Sequence, residues 1–218
     1  LPSYQVNDSK ESAPEIAFTR KDLGLPDKGF VFCCFNNTFK ITPTTFDSWA
    51  RILKRVDDSV LFIFASNELA KANLIKEIAY RGIEPSRLIF GEISLRPAYL
   101  ARYRVADLFL DTRPYNAGTT ASDALRMGLP VLTLRGDSFN SREAANIIES
   151  LNMPELITTT QNEYETLAIE FATVPNKLKA IKNKLTSNLA SAPLYDTPRF
   201  TKNLESAYKI MYDRYQQG

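Results

Sequence analysis

Short apolar runs alternate with amphipathic segments along most of the 218-residue chain. Runs such as FVFCCF at 30–35 and VLFIFA at 60–65 are continuous, which is typical of strands buried on both faces. Between them, apolar residues recur at helical spacing, as Phe46, Trp49 and Leu53 do after the helix-starting pair Thr42-Pro43. This alternation predicts an α/β fold with a doubly wound parallel sheet covered by helices.

The pattern gives bounds for each element. Strands are predicted at 30–35, 59–65, 87–93, 108–111, 130–134 and 156–157. Helices are predicted at 42–56, 67–81, 97–104, 119–127, 141–151, 161–173, 175–188 and 196–217, with Ser141 as the cap of the helix at 141–151.

The first 28 residues are polar and contain three prolines, so we expect a linker or a tail of a preceding domain. A short helix is predicted within them at 18–25, capped by Thr19 and ended at Gly24. Residues 29–218 then form the predicted domain with its extra C-terminal helices. Because the chain begins with Leu1 and not Met, we expect a piece of a longer protein.

Composition narrows the function classes. With 44% hydrophobic residues the chain can bury one large core, and a net charge of +2 calls for neither nucleic acid nor an anionic membrane as partner. The absence of histidine excludes a Ser-His-Asp triad, a Cys-His pair and a histidine-based metal site. Cys33 and Cys34 are neighbours on a predicted strand, so they point to opposite faces and are expected to be reduced core residues of a cytoplasmic protein.

Three polar loops follow predicted strands, and in a doubly wound fold their ends meet at one edge of the sheet, where ligands bind. The candidate residues in the loops after the first, third and fourth strands are, in that order, Asn36, Asn37 and Lys40; Ser94, Arg96, Tyr99 and Arg102; and Asn116, Gly118, Thr119, Thr120 and Asp123.

The third of these loops lies in DTRPYNAGTTASDAL at 111–125, where a strand, a turn and a hydroxyl-bearing helix start follow one another. Such a helix start suits phosphate, although an ordinary capped turn has the same pattern. Lys40 could bind a diphosphate together with this helix start, Tyr99 could stack on a base and Asp123 could reach a ribose hydroxyl. The alternatives are that Lys40 is a solvated surface lysine, that Tyr99 packs in the protein and that Asp123 is a first-turn acid favoured by the helix dipole. No GxGxxG or GxxxxGK[ST] motif is present, which disfavours a dinucleotide dehydrogenase and a P-loop NTPase.

Three long motifs resemble a known family. FCCFNNTFKITP, LFLDTRPYNAGTTASDALRMGLPVLTLRGDSFNSR and SAPLYDTPRF are similar to the C-terminal half of the catalytic region of protein O-linked N-acetylglucosamine transferases, in their bacterial SPINDLY-like branch. The resemblance implies a GT-B glycosyltransferase, of which this chain is the second, Rossmann-like domain that binds the UDP-sugar. It also implies transfer from UDP-GlcNAc to protein Ser or Thr hydroxyls without a metal. An earlier Rossmann-like domain and tetratricopeptide repeats would precede this chain.

The resemblance also implies roles for individual residues. Lys40 would grip the diphosphate and support its departure, and Asp123 would hold the ribose. The other implied contacts are Asn37, Thr119 and Thr120 with phosphate, and Ser94, Arg96, Tyr99 and Arg102 with uracil, with Tyr99 stacking on it. Gly118 stands where the family usually has a histidine near the sugar and phosphates. That departure keeps open a degenerate, non-catalytic binding or scaffolding module, and an epimerase of GT-B shape is a third hypothesis.

Overall fold

The computed structural model describes residues 3–11 and 13–218, which contain a six-stranded sheet. The strands pair in parallel in the order β3-β2-β1-β4-β5-β6. They are β1 (Val31–Cys34), β2 (Val60–Phe64), β3 (Leu88–Gly91), β4 (Leu108–Leu110), β5 (Val131–Leu134) and β6 (Ile157–Thr158). The predicted doubly wound parallel sheet and its strands are confirmed.

Eight α-helices of the described residues also follow the prediction. They are α1 (Pro43–Arg55), α2 (Glu68–Tyr80), α3 (Arg96–Ala101), α4 (Thr119–Arg126), α5 (Glu143–Ser150), α6 (Gln161–Thr173), α7 (Pro175–Leu189) and α8 (Thr197–Gln217). The Thr42 side chain caps α1 by accepting from the Thr45 N–H, as the Thr-Pro pair predicts. Within residues 3–11 and 13–218, none of the helices is both long and apolar enough to cross a bilayer.

Two predicted helix starts are corrected. Ser141 does not cap α5, which begins at Glu143; its hydroxyl accepts from the Ser138 N–H and donates to the Ser138 carbonyl, each at 3.0 Å. Serine hydroxyls compete for nearby backbone groups in this way, and here the bond closes the loop before the helix. The helix predicted at 18–25 is a single 3₁₀ turn, Lys21–Leu23, that ends at Gly24 with φ +68°.

The strands form the core between two layers of helices. α1 and α6 pack together, as do α4 and α5, and right-handed crossovers place these pairs on opposite faces of the sheet. Phe32, Cys33 and Cys34 are all fully buried. Their burial confirms both cysteines as core residues, and neither forms a disulfide.

The N-terminal segment lies against this domain. Asn7 donates to the Leu194 carbonyl at 3.0 Å, and Pro14 accepts from Arg104 at 3.0 Å. Arg20 pairs with Asp107 at 2.7 Å. The described residues of the segment therefore cross the domain surface, while the domain boundary at residue 28 stays a prediction. Leu1, Pro2 and Ser12 lie outside the described residues.

Candidate functional site

The strand order reverses between β1 and β4, and the two loops that follow these strands meet there. Lys40 Nζ donates to the Asn116 carbonyl at 2.8 Å. Asn36 Nδ2 donates to Thr112 Oγ1 at 2.7 Å, which ties the loops together at a second point. The structure thus brings together the first and third loops that the sequence singled out.

Asp111 anchors the loop after β4. One carboxylate oxygen accepts from the backbone N–H groups of Thr112 at 2.8 Å and Ala117 at 2.7 Å. The other accepts from Thr133 Oγ1 at 2.7 Å, and the Asp111 carbonyl accepts from Tyr164 Oη at 3.1 Å. Burial raises the pKa of Asp111 to about 7, although the bonds from Thr133, Ala117 and Thr112 to its carboxylate and the charge of Lys40 oppose the shift. The loop is therefore fixed by a buried carboxyl group with neutral donors.

A cavity of about 300 Å³ opens between the two loops, and we call it the phosphate cavity. Predicted site residues on its wall are Asn36, Asn37, Lys40, Gly118, Thr119 and Thr120. The wall is completed by residues from the N-terminal segment, from the end of β1, from the loop after β4 and from α5, namely Tyr4, Gln5, Phe35, Tyr115 and Glu143.

Positive charge faces this cavity from two sides. Lys40 Nζ lies 3.6 Å from the centroid of the Tyr115 ring, and burial lowers the lysine pKa while Glu143 opposes that shift. α4 begins at the cavity without a side-chain cap, and its N–H groups at Thr119 and Thr120 have no hydrogen-bond partner among the described residues. An ammonium group and a helix N-terminus at one cavity favour an anionic ligand.

Arg96 and Asp123, predicted for uracil and ribose, contact each other. Arg96 donates one 2.7 Å hydrogen bond to each carboxylate oxygen of Asp123, which is 3% exposed. Arg96 also donates to Glu11 at 2.7 and 2.8 Å, and Arg126 Nε lies 3.7 Å from that carboxylate. We call Glu11, Arg96, Asp123 and Arg126 the Arg96 cluster. Ligand contacts of Arg96 and Asp123 stay predictions.

Tyr99 and Arg102 are stacked side chains of the same region. The Arg102 guanidinium carbon lies 4.5 Å from the Tyr99 ring centroid and 3.9 Å from that of Phe35. Tyr99 Oη lies 2.6 Å from Tyr103 Oη. Tyr99 thus packs within the protein, which was the alternative to base stacking, and its stacking on uracil stays a prediction.

Ser94 and Arg102 line a second cavity, of about 350 Å³. Arg102 is 5% exposed, and its Nε–H has no hydrogen-bond partner among the described residues. The four residues predicted to contact uracil therefore do not share one cavity, since Arg96 and Tyr99 do not line this one. The rest of its wall comes from the N-terminal segment, β2, β3 with the loop after it, and α3: Phe18, Asp22, Leu23, Phe62, Phe90, Gly91, Glu92, Ile93 and Ala98.

Five wall residues of the phosphate cavity are not predicted by the sequence: Tyr4, Gln5, Phe35, Tyr115 and Glu143. Tyr4 and Gln5 belong to a polar segment with no motif. Glu143 could have been found, because the loop after β5 also ends at the carboxyl edge of the sheet.

The strand order and the polar cavity at its reversal define an α/β domain of the Rossmann type. The sequence matches glycosyl transferase family 41 over residues 5–204, and the chain belongs to that family. The family predicted from the motifs is therefore confirmed.

Relatives agree with this assignment. The chain is 31% identical over 221 residues to the probable UDP-N-acetylglucosamine–peptide N-acetylglucosaminyltransferase SEC of Arabidopsis thaliana, covering 99% of this chain and 23% of the relative. It is 32% identical over 200 residues to the UDP-N-acetylglucosamine–peptide N-acetylglucosaminyltransferase of Caenorhabditis elegans, covering 92% and 17%. The chain thus spans about a fifth of the length of these relatives.

Solved structures of glycosyltransferases are similar to this chain. A mutant of the Thermobaculum terrenum O-GlcNAc transferase superposes with a TM-score of 0.81 at 28% identity, over 97% of this chain and 39% of that one. The lipopolysaccharide glycosyltransferase WaaG superposes with a TM-score of 0.64 at 18% identity, over 93% and 53%, and shares the fold. The predicted GT-B-type Rossmann-like domain is confirmed.

Proposed function

We propose that this chain is the nucleotide-sugar-binding part of a glycosyltransferase that moves N-acetylglucosamine from UDP-GlcNAc to Ser or Thr hydroxyls of proteins. The observation that carries the proposal is the meeting of Lys40 and the α4 N-terminus in the phosphate cavity. The names of the relatives in A. thaliana and C. elegans support this donor and a peptide acceptor.

Lys40 is the proposed catalytic group. Transfer breaks the bond between the anomeric carbon and the β-phosphate oxygen, so negative charge grows on the departing UDP. A half-buried ammonium stabilises that charge more strongly than the same group would in water, because the local dielectric is lower. Asn37, Gly118, Thr119 and Thr120 would supply the other phosphate contacts through the loop backbone, the amide and the hydroxyls.

The nucleoside would bind beside the phosphate cavity, with Ser94, Arg96, Tyr99 and Arg102 toward uracil and Asp123 toward ribose. Each Asp123 oxygen accepts one bond from Arg96 and keeps a lone pair for a ribose hydroxyl. Glu11 covers Arg96 in this structure, so we expect nucleoside binding to displace the Glu11 side of the Arg96 cluster.

The wider setting is part of the same proposal. Lys40 and α4 supply the positive charge that the leaving group needs, so we propose transfer without a metal cofactor. The proposed partners are a protein acceptor, an earlier Rossmann-like domain and tetratricopeptide repeats, with neither nucleic acid nor membrane. The buried, free thiols Cys33 and Cys34 support a cytoplasmic location.

A non-catalytic nucleotide-binding or scaffolding module is the second candidate. It is favoured by the Arg96 cluster, which occupies residues proposed for the nucleoside, and by Gly118 in place of the family histidine. Assays of UDP-GlcNAc hydrolysis and protein glycosylation by the full-length protein separate the two, since nucleotide binding without turnover supports the module.

Calorimetric titration of the 218-residue chain with UDP tests the proposed site. We expect Lys40→Ala to weaken UDP binding about 30-fold, because one charge-assisted hydrogen bond to phosphate is lost. Lys202→Ala, which removes an exposed lysine from α8, is the matched control and should bind like the wild type. A wild-type chain without UDP affinity at millimolar concentration, or a Lys40→Ala variant of unchanged affinity, would contradict the proposal.

A further inference from the structure

The phosphate cavity contains a carboxylate that its proposed ligand does not explain. Glu143 is the first residue of α5 and lines the cavity together with Lys40 and Thr119. Its side chain forms no hydrogen bond and no ion pair within 4.0 Å with any described residue. A carboxylate repels a diphosphate, so its position needs a partner other than phosphate.

Gly118 brings two more polar groups to the same place. A Cβ on Gly118 would lie 3.1 Å from Tyr4 Oη, 3.8 Å from Glu143 Oε2 and 3.9 Å from Gln5 Oε1. A hydroxyl, a carboxylate and an amide from separate parts of the chain therefore surround one side of this glycine. Tyr4 Oη is buried and has no hydrogen-bond partner among the described residues, so it can still donate to a ligand.

The cavity thus has two chemically different sides. Lys40, Asn37 and the α4 N-terminus offer positive charge and donors, which match phosphate. Around Gly118, Glu143 offers an acceptor, while Tyr4 and Gln5 offer uncharged polar groups. Neighbouring hydroxyls of a sugar ring match such a set, because they donate to a carboxylate and accept from hydroxyl and amide groups.

We propose that Glu143, beside Tyr4 and Gln5, accepts hydrogen bonds from hydroxyls of the donor's sugar ring and so selects the sugar nucleotide over the free nucleotide. The inference rests on the proposed function, since the sugar is attached to the phosphate that Lys40 would hold. It assigns Glu143 as a residue that sets donor specificity.

If Glu143 has this role, Glu143→Gln should change the affinities for UDP and for UDP-GlcNAc differently. Glu143→Gln keeps the shape of the side chain but removes its negative charge. UDP should then bind as tightly as before or a few-fold more tightly, because repulsion of the diphosphate is relieved. UDP-GlcNAc should lose affinity relative to UDP by about tenfold, because a charged acceptor of sugar hydroxyls is lost.

Calorimetric titration of the 218-residue chain with UDP and with UDP-GlcNAc measures both effects. Glu149→Gln is the matched control, since Glu149 lies on the same helix and pairs with Arg135 outside the cavity. Tyr4→Phe is the second variant and should also lower the UDP-GlcNAc to UDP affinity ratio, by a smaller factor, because it removes one neutral hydroxyl.

Two failures can be told apart. If the wild type binds UDP but Glu143→Gln leaves the affinity ratio unchanged, the role of Glu143 is wrong and the proposed function stands. If the wild type binds neither UDP nor UDP-GlcNAc, the proposed function and the assignment of Glu143 are both overturned.

Discussion

The phosphate cavity and the Arg96 cluster lie at the same edge of the sheet, but their charged side chains have different partners. In the cavity, Lys40 donates to a neutral carbonyl, that of Asn116. In the cluster, Arg96 donates two hydrogen bonds to Asp123 and two to Glu11. The cavity keeps its α4 donors available to a ligand, whereas the charges of the cluster already satisfy one another. One region keeps donors free, and in the other the charges are held in ion pairs.

The carboxyl groups that support the two regions should also respond oppositely to pH. Burial without a cation bonded to it raises the pKa of Asp111, beside the cavity, to about 7. Hydrogen bonding from Arg96 lowers the pKa of Glu11, in the cluster. Protonation therefore favours the folded state at Asp111 and disfavours it at Glu11.

The largest expected effect is at Asp111. Its folded-state pKa lies above its ordinary value of 3.8, so its contribution to stability is present at low pH and is lost as pH rises through about 7. Between pH 4 and 7 the free energy of unfolding of the wild type should fall relative to Asp111→Asn by up to about 4 kcal/mol. Asparagine can keep the bonds from Thr112 and Ala117, and the Thr133 hydroxyl can rotate to accept from its amide.

Urea unfolding at pH 4, 5, 6 and 7 measures this difference. Asp137→Asn removes an exposed carboxylate after β5 and serves as the control, for which the two stability curves should run parallel. Parallel curves for Asp111→Asn as well would show that Asp111 is not held at a raised pKa. The carboxyl groups of the two regions would then not respond to pH in opposite directions.

A smaller effect is expected from Arg96→Ala. The substitution leaves the buried Asp123 carboxylate without its guanidinium partner, which should cost about 2 kcal/mol of unfolding free energy. This value lies below that of a fully buried pair, because the Arg96 side chain is 45% exposed. Urea unfolding checks it against Arg55→Ala, an exposed arginine on α1. The double variant Arg96→Ala/Asp123→Asn should recover part of the loss, and its failure to do so would contradict a direct pairing.

The fold was predictable because its signals are local. Continuous apolar runs mark the strands, and Thr42-Pro43 marks the start of α1. The doubly wound topology then places the loops after β1 and β4 together, which is why the meeting of Lys40 with Thr119 and Thr120 could be expected.

The remaining parts of the site depend on contacts that no local pattern encodes. Glu11 and Arg96 are separated by 85 positions, and the polar segment that carries Glu11 has the composition of a linker. Glu143 looks like an ordinary first-turn acid of a helix, and only the three-dimensional packing places it opposite Lys40. Ser141 has the sequence pattern of a cap, but its hydroxyl bonds to Ser138, which depends on the path of the loop.

The smallest expected effect is that of Glu11→Gln, which tests whether Arg96 and Glu11 are held together by charge. Because hydrogen bonding from Arg96 lowers the pKa of Glu11, the carboxylate stabilises the folded state above its ordinary pKa of 4.5. At pH 7 the variant should therefore be less stable than the wild type, by about 0.5–1 kcal/mol, which is the range of a partly exposed ion pair. The difference should shrink as pH falls below 4.5 and should vanish once pH is below the lowered pKa of Glu11 in the folded state, where the wild-type carboxylate is protonated too.

Urea unfolding at pH 7 and at pH 4 measures this change, with Glu15→Gln as the control in the same segment, since Glu15 is exposed. A Glu11→Gln penalty that is equal at both pH values would mean that packing and not charge holds Glu11 against Arg96. In that case the Arg96 cluster would reduce to the Arg96–Asp123 pair, and the N-terminal segment would not need to break an ion pair before a nucleoside enters.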